Sequence, residues 1–598
     1  MSGTGAPEAP APLARRGARG GPTRWIAAAA LVAAVFACYA GSLGGGFVFD
    51  DHLLVERSAL LRGPLWRIWL TADAHDYWPL TYSSLWLEWR AFGLQPLGYR
   101  LVGLALHAAA AVLLWRVLAR LRVPGAWLGA LLFAVHPVGV ESVAWISERK
   151  NALSAPLLLA STLCWLRFRD DQQPRSAAGS AALFLAALLA KTSAVILPPA
   201  LLLAGAWQQR PWTRRERPWL AALFGLAAAL GAVTLWFQRS RALGGLDLDR
   251  SALERLAAAA WSWPTYLWTA FQPFAAAVVY PDPPPASSPW AWLPLAAGLA
   301  AVAAAAGLRR RLGGGPLLAL AYHAVAVLPV LGLLDMAFLV FSPAGNHLQY
   351  LALLGPCALA GAALGRLVAA RPSLGTALAV AAAGALCWHT AGRAAGYRDD
   401  VALWSLAVRE APGSLTAARM LGGALSDAGR PREALQALSA AEERFQDPAA
   451  RLRIRALRLA LLDRGDEAVA AERAAAPLRD DLGFEFELGV ILTRRGRAEL
   501  GVPLLREVVA RQPRSAENRY QLAAALVRSG RAPEAVEELR VGCRLSARSG
   551  ACGALALVLQ QSGRGAEARG AVAAALGLAP ADPAVDEALQ AAAPRGAP

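Results

Sequence analysis

Charge is what this chain has little of. Only 17% of its 598 residues are Asp, Glu, Lys or Arg, against about a quarter in ordinary soluble domains. Of the whole, 56% is hydrophobic and the mean hydropathy is positive. This excludes an ordinary soluble protein and identifies a membrane protein. Cysteine is scarce too: Cys38, Cys164, Cys357, Cys387, Cys543 and Cys552 show no CxxC and no Cys/His ligand spacing. The first four lie in apolar runs, where a Cys serves as a small hydrophobe. Only Cys543 and Cys552 have a spacing that leaves pairing with each other open.

What charge there is leans one way, with a net +17 and a pI near 10.4. In a soluble chain that would suggest nucleic acid. Here much of the Arg excess flanks apolar runs, the pattern that sets membrane topology, so no nucleic-acid partner is expected. The charge is also unevenly spread. Up to about residue 391 it is sparse and Trp is frequent, whereas from Gly392 onward Arg and Glu are interspersed with Ala and Leu, so two modules follow.

A membrane span needs roughly 20 mostly apolar residues. The runs at 24–43, 99–118, 125–140, 151–167, 177–190, 194–207, 218–237, 289–308, 316–334, 349–369 and 373–391 are candidates, giving about 11 spans in a domain over 24–391. A basic segment, 1–23, precedes them. Its arginines and the small residues of "LVAAVFACYAGSLGGGF" also suit a cleaved signal peptide; the many later spans favour a retained anchor. The Arg-rich segments 14–24, 116–122, 167–175, 208–217, 309–311 and 366–371 are assigned to the cytoplasm. That places loop 44–98, the turn at 141–150, Lys191, segment 238–288 and loop 335–348 outside. Segment 256–280, rich in Trp, Tyr and Pro, must then be interfacial or re-entrant. The expectation is a multi-pass protein in the lipid bilayer, in the inner membrane if the cell is bacterial, with the C-terminal module extracytoplasmic.

After a linker at 392–411 the chain repeats itself. Gly429, Gly465, Gly496, Gly530 and Gly563 are 36, 31, 34 and 33 residues apart, and three open the phrases "GRPREA", "GRAPEA" and "GRGAEA". Pro412, Pro448, Pro477, Pro513 and Pro580 punctuate the units, and Ala434, Ala535 and Ala568 are small residues that let paired helices approach. This resembles the tetratricopeptide repeat, about five units over 412–580 followed by an Ala/Pro-rich tail, 581–598. Such solenoids present a groove that recruits polypeptide.

The chemistry-bearing residues begin at "FVFDDHLLV". Asp50 and Asp51 follow the first apolar run, at the base of the longest outer loop. Adjacent carboxylates beside an apolar surface are expected to raise one another's proton affinity, which suits a general base; a helix start or a solvated turn is the alternative. That segment combines with "YWPLTYSSLWLEWRAFGLQPLGYRLVGLALH", "HPVGVESVAWISERKNALSAPLLLASTLCWLRF", "LLAKTSAVILPPALLL" and the repeats. Together they resemble the transmembrane-and-tetratricopeptide-repeat family and, more distantly, the protein O-mannosyltransferases of the GT-C superfamily. The resemblance implies an all-α polytopic bundle and a glycosyltransferase using a polyprenyl-phosphate-linked sugar, mannose being one candidate, with Ser or Thr hydroxyls of a polypeptide as acceptor. It implies Asp50 as base and Asp51 as its partner.

A lipid-phosphate donor needs cations at the same face. Arg149, Lys150 and Lys191 are expected to supply them, with Glu141 and Glu148 the nearby acids; snorkelling to the interface is the alternative. His107 and His136 match positions the family favours, and interhelical hydrogen bonds explain them equally well. Where the family carries an Arg, this chain reads "GNHLQYLALLG", so Asn346, His347 and Tyr350 take its place and His347 is left as a phosphate ligand when protonated. A divalent metal, Mg or Mn, is a further possibility, since Asp50, Asp51, His52, Asp73, His75 and Asp76 share one loop. The non-enzymatic alternative is a membrane scaffold whose repeats assemble an envelope or export complex.

Overall fold

The computed structural model describes residues 22–71, 74, 76–243, 250–478, 481–545 and 550–576, with a few more up to 589. The basic segment before residue 22, Asp73, His75 and most of the tail lie outside the described residues. Every element among the described residues is helical.

Each of the eleven apolar runs falls on a helix, but they are unequal. Five are long and apolar enough to cross a membrane: Thr23–Ser42, Pro96–Arg120, Glu216–Ala242, Pro289–Gly307 and Pro372–Gly396. Three of these bury only 17% of their most apolar window, which leaves their outer faces for lipid. The run at 125–140 is broken into Ala126–Ala134 and Pro137–Ala144, bent by 49°. The break falls at His136-Pro137, where Pro cannot continue the preceding hydrogen-bond ladder. Pro174–Ala190, Thr192–Gln208, Gly315–Val330 and Leu354–Ala370 are apolar but shorter. The structure therefore supports five spans, or six with the bent pair, by length and composition, and the count of eleven is not established. Residues 256–271 of segment 256–280 belong to helix Ala252–Phe271, opened by a Ser251–Glu254 capping box, and a short turn Pro273–Ala275 follows. The helix buries Trp263 and Tyr266 and exposes Trp268 and Phe271.

The first and last long apolar helices pack together, and Cys38 and Cys387 form a disulfide across them with Cα atoms 5.3 Å apart. This corrects the reading of both as simple hydrophobes. The pairing depends on helix packing over a separation of 349 residues. Cys543 and Cys552 are also paired, while Cys164 and Cys357 are free.

Five antiparallel helix pairs follow, from Leu415–Asp427 with Pro431–Arg444 to Gly550–Gln561 with Gly565–Leu576. The turn inside each pair holds one residue with positive φ: Gly429, Asp463, Gly496, Gly530 and Gly563. These positions are 34, 33, 34 and 33 residues apart. The uneven glycine spacing arises because Asp463, a residue type that tolerates the left-handed region, makes the second turn, whereas Gly465 is already the first residue of helix Gly465–Ala475. The phrase beginning "GR" has a physical basis. Arg430, Arg464, Arg531 and Arg564 each pair with the Glu three residues on. The Ala after that Glu (Ala434, Ala468, Ala535, Ala568) is fully buried against the facing helix. Ser414, Asp447, Asp481 and Ser515 cap the first helices of four units.

Residues 392–411, expected as a linker, are helical for most of their length. The last apolar helix runs to Gly396, and helix Asp400–Glu410 follows, burying Leu403, Trp404, Leu406 and Ala407. The hydrophobic core consequently runs without a break from the membrane helices into the first three repeat units.

Candidate functional site

Segments that the Arg distribution assigns to one side of the membrane meet at one end of the bundle. Residues 44–56 are held from two directions there. Gly46 N–H donates to Arg398 O at 2.7 Å. Phe49 N–H donates to Asp400 Oδ1 at 2.8 Å, and His52 Nε2 lies 2.9 Å from Asp400 Oδ2. Arg100 ties Gly46 O and Tyr397 O together at 2.5 and 2.8 Å. From the other side, Asp51 is fully buried and accepts from Ser147 N–H at 2.7 Å, Ser147 Oγ at 2.5 Å and Val48 N–H at 3.2 Å. Phe49 between these anchors has φ of +48°, a conformation that costs about 1–3 kcal/mol and persists only where the surroundings enforce it. Its effect is to turn Asp50 away from Asp51 and into a cavity of about 470 Å³.

That cavity has a polar half and an apolar half. Asp50, Asp76, Glu148, Lys150, Lys191 and His347 line the first; Val195, Gly231, Leu235, Val330 and Leu334, from apolar helices and their ends, line the second. Glu148 sits between the lysines, 2.5 Å from Lys150 Nζ and 3.5 Å from Lys191 Nζ, and accepts from Asn151 at 2.8 Å. Lys150 also lies over the Trp78 ring, 4.9 Å from its centroid. Asp76 accepts from Gln238 Nε2 and Tyr77 N–H, both at 2.8 Å. Asp50 has no hydrogen-bond partner for its carboxylate among the described residues, unlike Asp76 and Glu148.

The remaining expected residues are placed as follows. Arg149 does not reach the cavity: its guanidinium is 2.6 Å from Glu88 and 2.6 Å from Tyr99 O, and it is 2% exposed. Successive helix residues point about 100° apart, so at the start of helix Arg149–Asp171 only Lys150 faces the cavity. Asp51 is an anchor, bonded to Ser147 and Val48, and does not line the cavity. His107 Nε2 donates to Ala134 O at 3.1 Å, so Nδ1 accepts from Tyr350 Oη at 2.6 Å. His136 donates to Ala270 O at 3.1 Å and accepts from Val138 N–H. These three hold helices together away from the cavity. His347 lines it, with Nδ1 2.9 Å from Glu141. Asn346 donates to Glu141 and Ala277 O and accepts from Tyr280 Oη. Asn346 thus has a satisfied amide network at the position where the resemblance led an Arg to be expected. No group of three or more His, Cys, Asp and Glu side chains gathers as a metal site among the described residues. His52 is instead engaged by Glu56 and Asp400.

Burial raises the proton affinity of Asp50, with Lys150 opposing and Glu148 adding to it. Asp51 is pushed up to about 6 by burial, against its Ser147 and Val48 hydrogen bonds, and Asp76 to about 6 by burial, against its Gln238 bond. The two carboxyls face different surroundings, Asp51 toward Ser147 and Asp50 toward the cavity, so burial acts on each separately. Burial also acts on Glu148, but Lys150 and Lys191 overcome it and hold the carboxyl well below the usual range. Lys191 is lowered to about 8 by burial, against Glu148.

Sequence reasoning missed Asp400, Phe49, Arg100 and Trp78. A signal was present for the first: "RDDVALW" is a second adjacent acidic pair. Asp399 caps helix Asp400–Glu410 by accepting from Ala402 N–H at 2.7 Å, which frees Asp400 for the loop.

The fold and this cavity together define an all-α polytopic membrane protein with a tetratricopeptide-type solenoid joined to its site. Residues 79–236 match the family model described as dolichyl-phosphate-mannose-protein mannosyltransferase. The chain is similar to protein O-mannosyl-transferase Tmtc1 of Drosophila melanogaster, 35% identical over 188 residues, covering 29% of this chain and 21% of that protein. It is also similar to protein O-mannosyl-transferase TMTC3 of Homo sapiens, 31% identical over 150 residues, covering 23% of this chain and 16% of that one. The chain spans about a fifth of the length of the curated relatives it matches. Among solved structures, MamA of Desulfovibrio magneticus is 20% identical with a TM-score of 0.22, covering 27% of this chain and 94% of that one.

Proposed function

We propose that this protein is a glycosyltransferase that takes a sugar from a polyprenyl-phosphate carrier and places it on a hydroxyl of a polypeptide held by the repeats, on the extracytoplasmic face. The observation that carries this reading is the unpartnered Asp50 carboxylate facing a cavity whose other carboxylates are engaged. Asp50 accepts the acceptor hydroxyl proton as that oxygen bonds to the anomeric carbon. The bond from the anomeric carbon to the phosphate oxygen breaks, and the carrier phosphate leaves with the electron pair. Lys150 and Lys191 stabilise that leaving phosphate, and the apolar half of the cavity takes the first isoprene units. Similarity to proteins named O-mannosyl-transferases favours mannose as the sugar.

A base must be ionised to act, and Asp50 holds its proton to higher pH than an ordinary Asp. The rising limb of kcat/KM against pH is therefore expected above about 3.9. The direct test is transfer from a polyprenyl-phosphate sugar in membranes carrying Asp50→Asn. Loss of transfer by a factor of about 10²–10⁴, with insertion and thermal stability retained, is the expected result. Undiminished transfer by that variant rejects the assignment.

A further inference from the structure

The repeats are not a separate appendage to this cavity. A groove of about 560 Å³ runs across the first three units, lined among others by Arg419, Gly423, Asp427, Glu487 and Arg494. Its membrane-side end is formed by Phe49, Phe341 and Trp404. Phe49 and Phe341 also line the Asp50 cavity. The three rings touch one another, with centroids 5.4 Å apart for Phe49–Phe341, 5.2 Å for Phe49–Trp404 and 6.0 Å for Phe341–Trp404. One layer of aromatic side chains thus lies between the groove and the cavity.

The groove's chemistry narrows its occupant. Its charges are of both signs: Arg419 pairs with Glu487 at 2.8 Å and Arg494 with Asp427 at 3.2 Å, and Arg495 lines the groove beside them, so a chain that offers donors and acceptors together fits it better than a ligand of strong single sign. At Gly423 an added Cβ would meet nothing nearer than Glu487 Oε1 at 3.8 Å, which leaves room for a main chain to approach. Paired charges of both signs beside a glycine suit an extended peptide, whose backbone offers donors and acceptors alternately. The layer itself is held by Asp400, at the start of the helix bearing Trp404: its carboxylate receives Phe49 N–H.

We infer that an extended polypeptide lies in the groove of the first three units and that, with the Phe49–Phe341–Trp404 rings swung aside, its main chain enters the cavity far enough to bring a Ser or Thr hydroxyl to Asp50. This rests on the glycosyltransferase reading and assigns the entry route. The two later units, whose core belongs to a second cluster that starts within the third unit at Val502, take no part in that route.

The test uses the full chain in nanodiscs, with a photoreactive benzophenone side chain placed in turn at positions 341, 423 and 553, and an extended Ser- and Thr-containing peptide as probe. Position 553 is the control, because nothing lies within 4 Å of a Cβ there and it belongs to the last unit. Crosslinks are expected from 423 and 341, to different peptide residues in order along the probe, and none from 553. Gly423→Trp is expected to cut peptide capture by about tenfold or more, a loss of about 1.4 kcal/mol. Capture at 423 without any at 341, or equal capture at 553, overturns the route. If Asp50→Asn abolishes transfer while those crosslinks are absent, the enzyme reading stands and the route falls. If ordered crosslinks form and Asp50→Asn transfers normally, the groove assignment stands and the enzyme reading falls.

Discussion

Ion pairs occur both in the repeat module and at the cavity end of the membrane domain, but those that recur from unit to unit in the repeats differ in kind from those at the cavity. In the repeats, Arg430–Glu433, Arg464–Glu467, Arg531–Glu534 and Arg564–Glu567 are three residues apart and exposed. Such pairs are screened by solvent and contribute little. Around the cavity, Arg149–Glu88 and Lys191–Glu148 join segments 61 and 43 residues apart, and every partner is buried. Removing one member there strands a charge in an apolar setting. Local pairs repeat a pattern; buried long-range pairs hold one geometry.

That contrast can be broken or sharpened by experiment, beginning with an all-or-none effect. Because residues 46–52 are bonded to 398–400, membrane-impermeant thiol labelling of a Cys placed in the loop and another in the repeats must report one compartment. Opposite compartments would reject the joined architecture. Next in size, Arg149→Met leaves Glu88 buried and unpaired, with an expected cost of about 3–5 kcal/mol seen as a lowered thermal midpoint in detergent. Ala434→Leu overpacks the first repeat pair and is expected to cost about 1–3 kcal/mol, again read from the midpoint.

A smaller effect is expected from pH. Asp76 has a folded pKa of about 6, raised from 3.8, so the folded state binds its proton more tightly. The stabilisation is fully present below about 3.8 and is lost as pH rises through about 6. Asp76→Asn should therefore flatten the midpoint-versus-pH curve between those limits, and an unchanged slope counts against the assignment. Smallest of all, Arg430→Ala should leave the midpoint within experimental scatter.

How much was legible in the sequence follows the same division. The repeats were readable because their turns, caps and small residues recur locally, and even the misplaced second turn shows the limit: Asp463 adopts the left-handed conformation without being glycine. In the membrane domain the apolar runs marked where helices would form. Asp50 was conspicuous as an acid beside a long apolar run. Which of Arg149 and Lys150 faces the cavity was not legible, since a one-residue shift on a helix changes direction and only the fold fixes the rotation. Nor could spacing show that Asp51 would be consumed by Ser147, that Cys38 would meet Cys387, or that Asp400 would hold Phe49. Each depends on which distant segments become neighbours.

The Phe49–Asp400 hydrogen bond spans 351 residues, which fixes a timing. At a synthesis rate of about 5–20 residues per second, the ribosome needs on the order of a minute after making Asp50 before it makes the residue that holds its loop. Until then the Asp50 turn lacks one of its two anchors. A chain that ends before residue 400 lacks the Asp400 carboxylate, so its Asp50 turn is held from the Ser147 side alone.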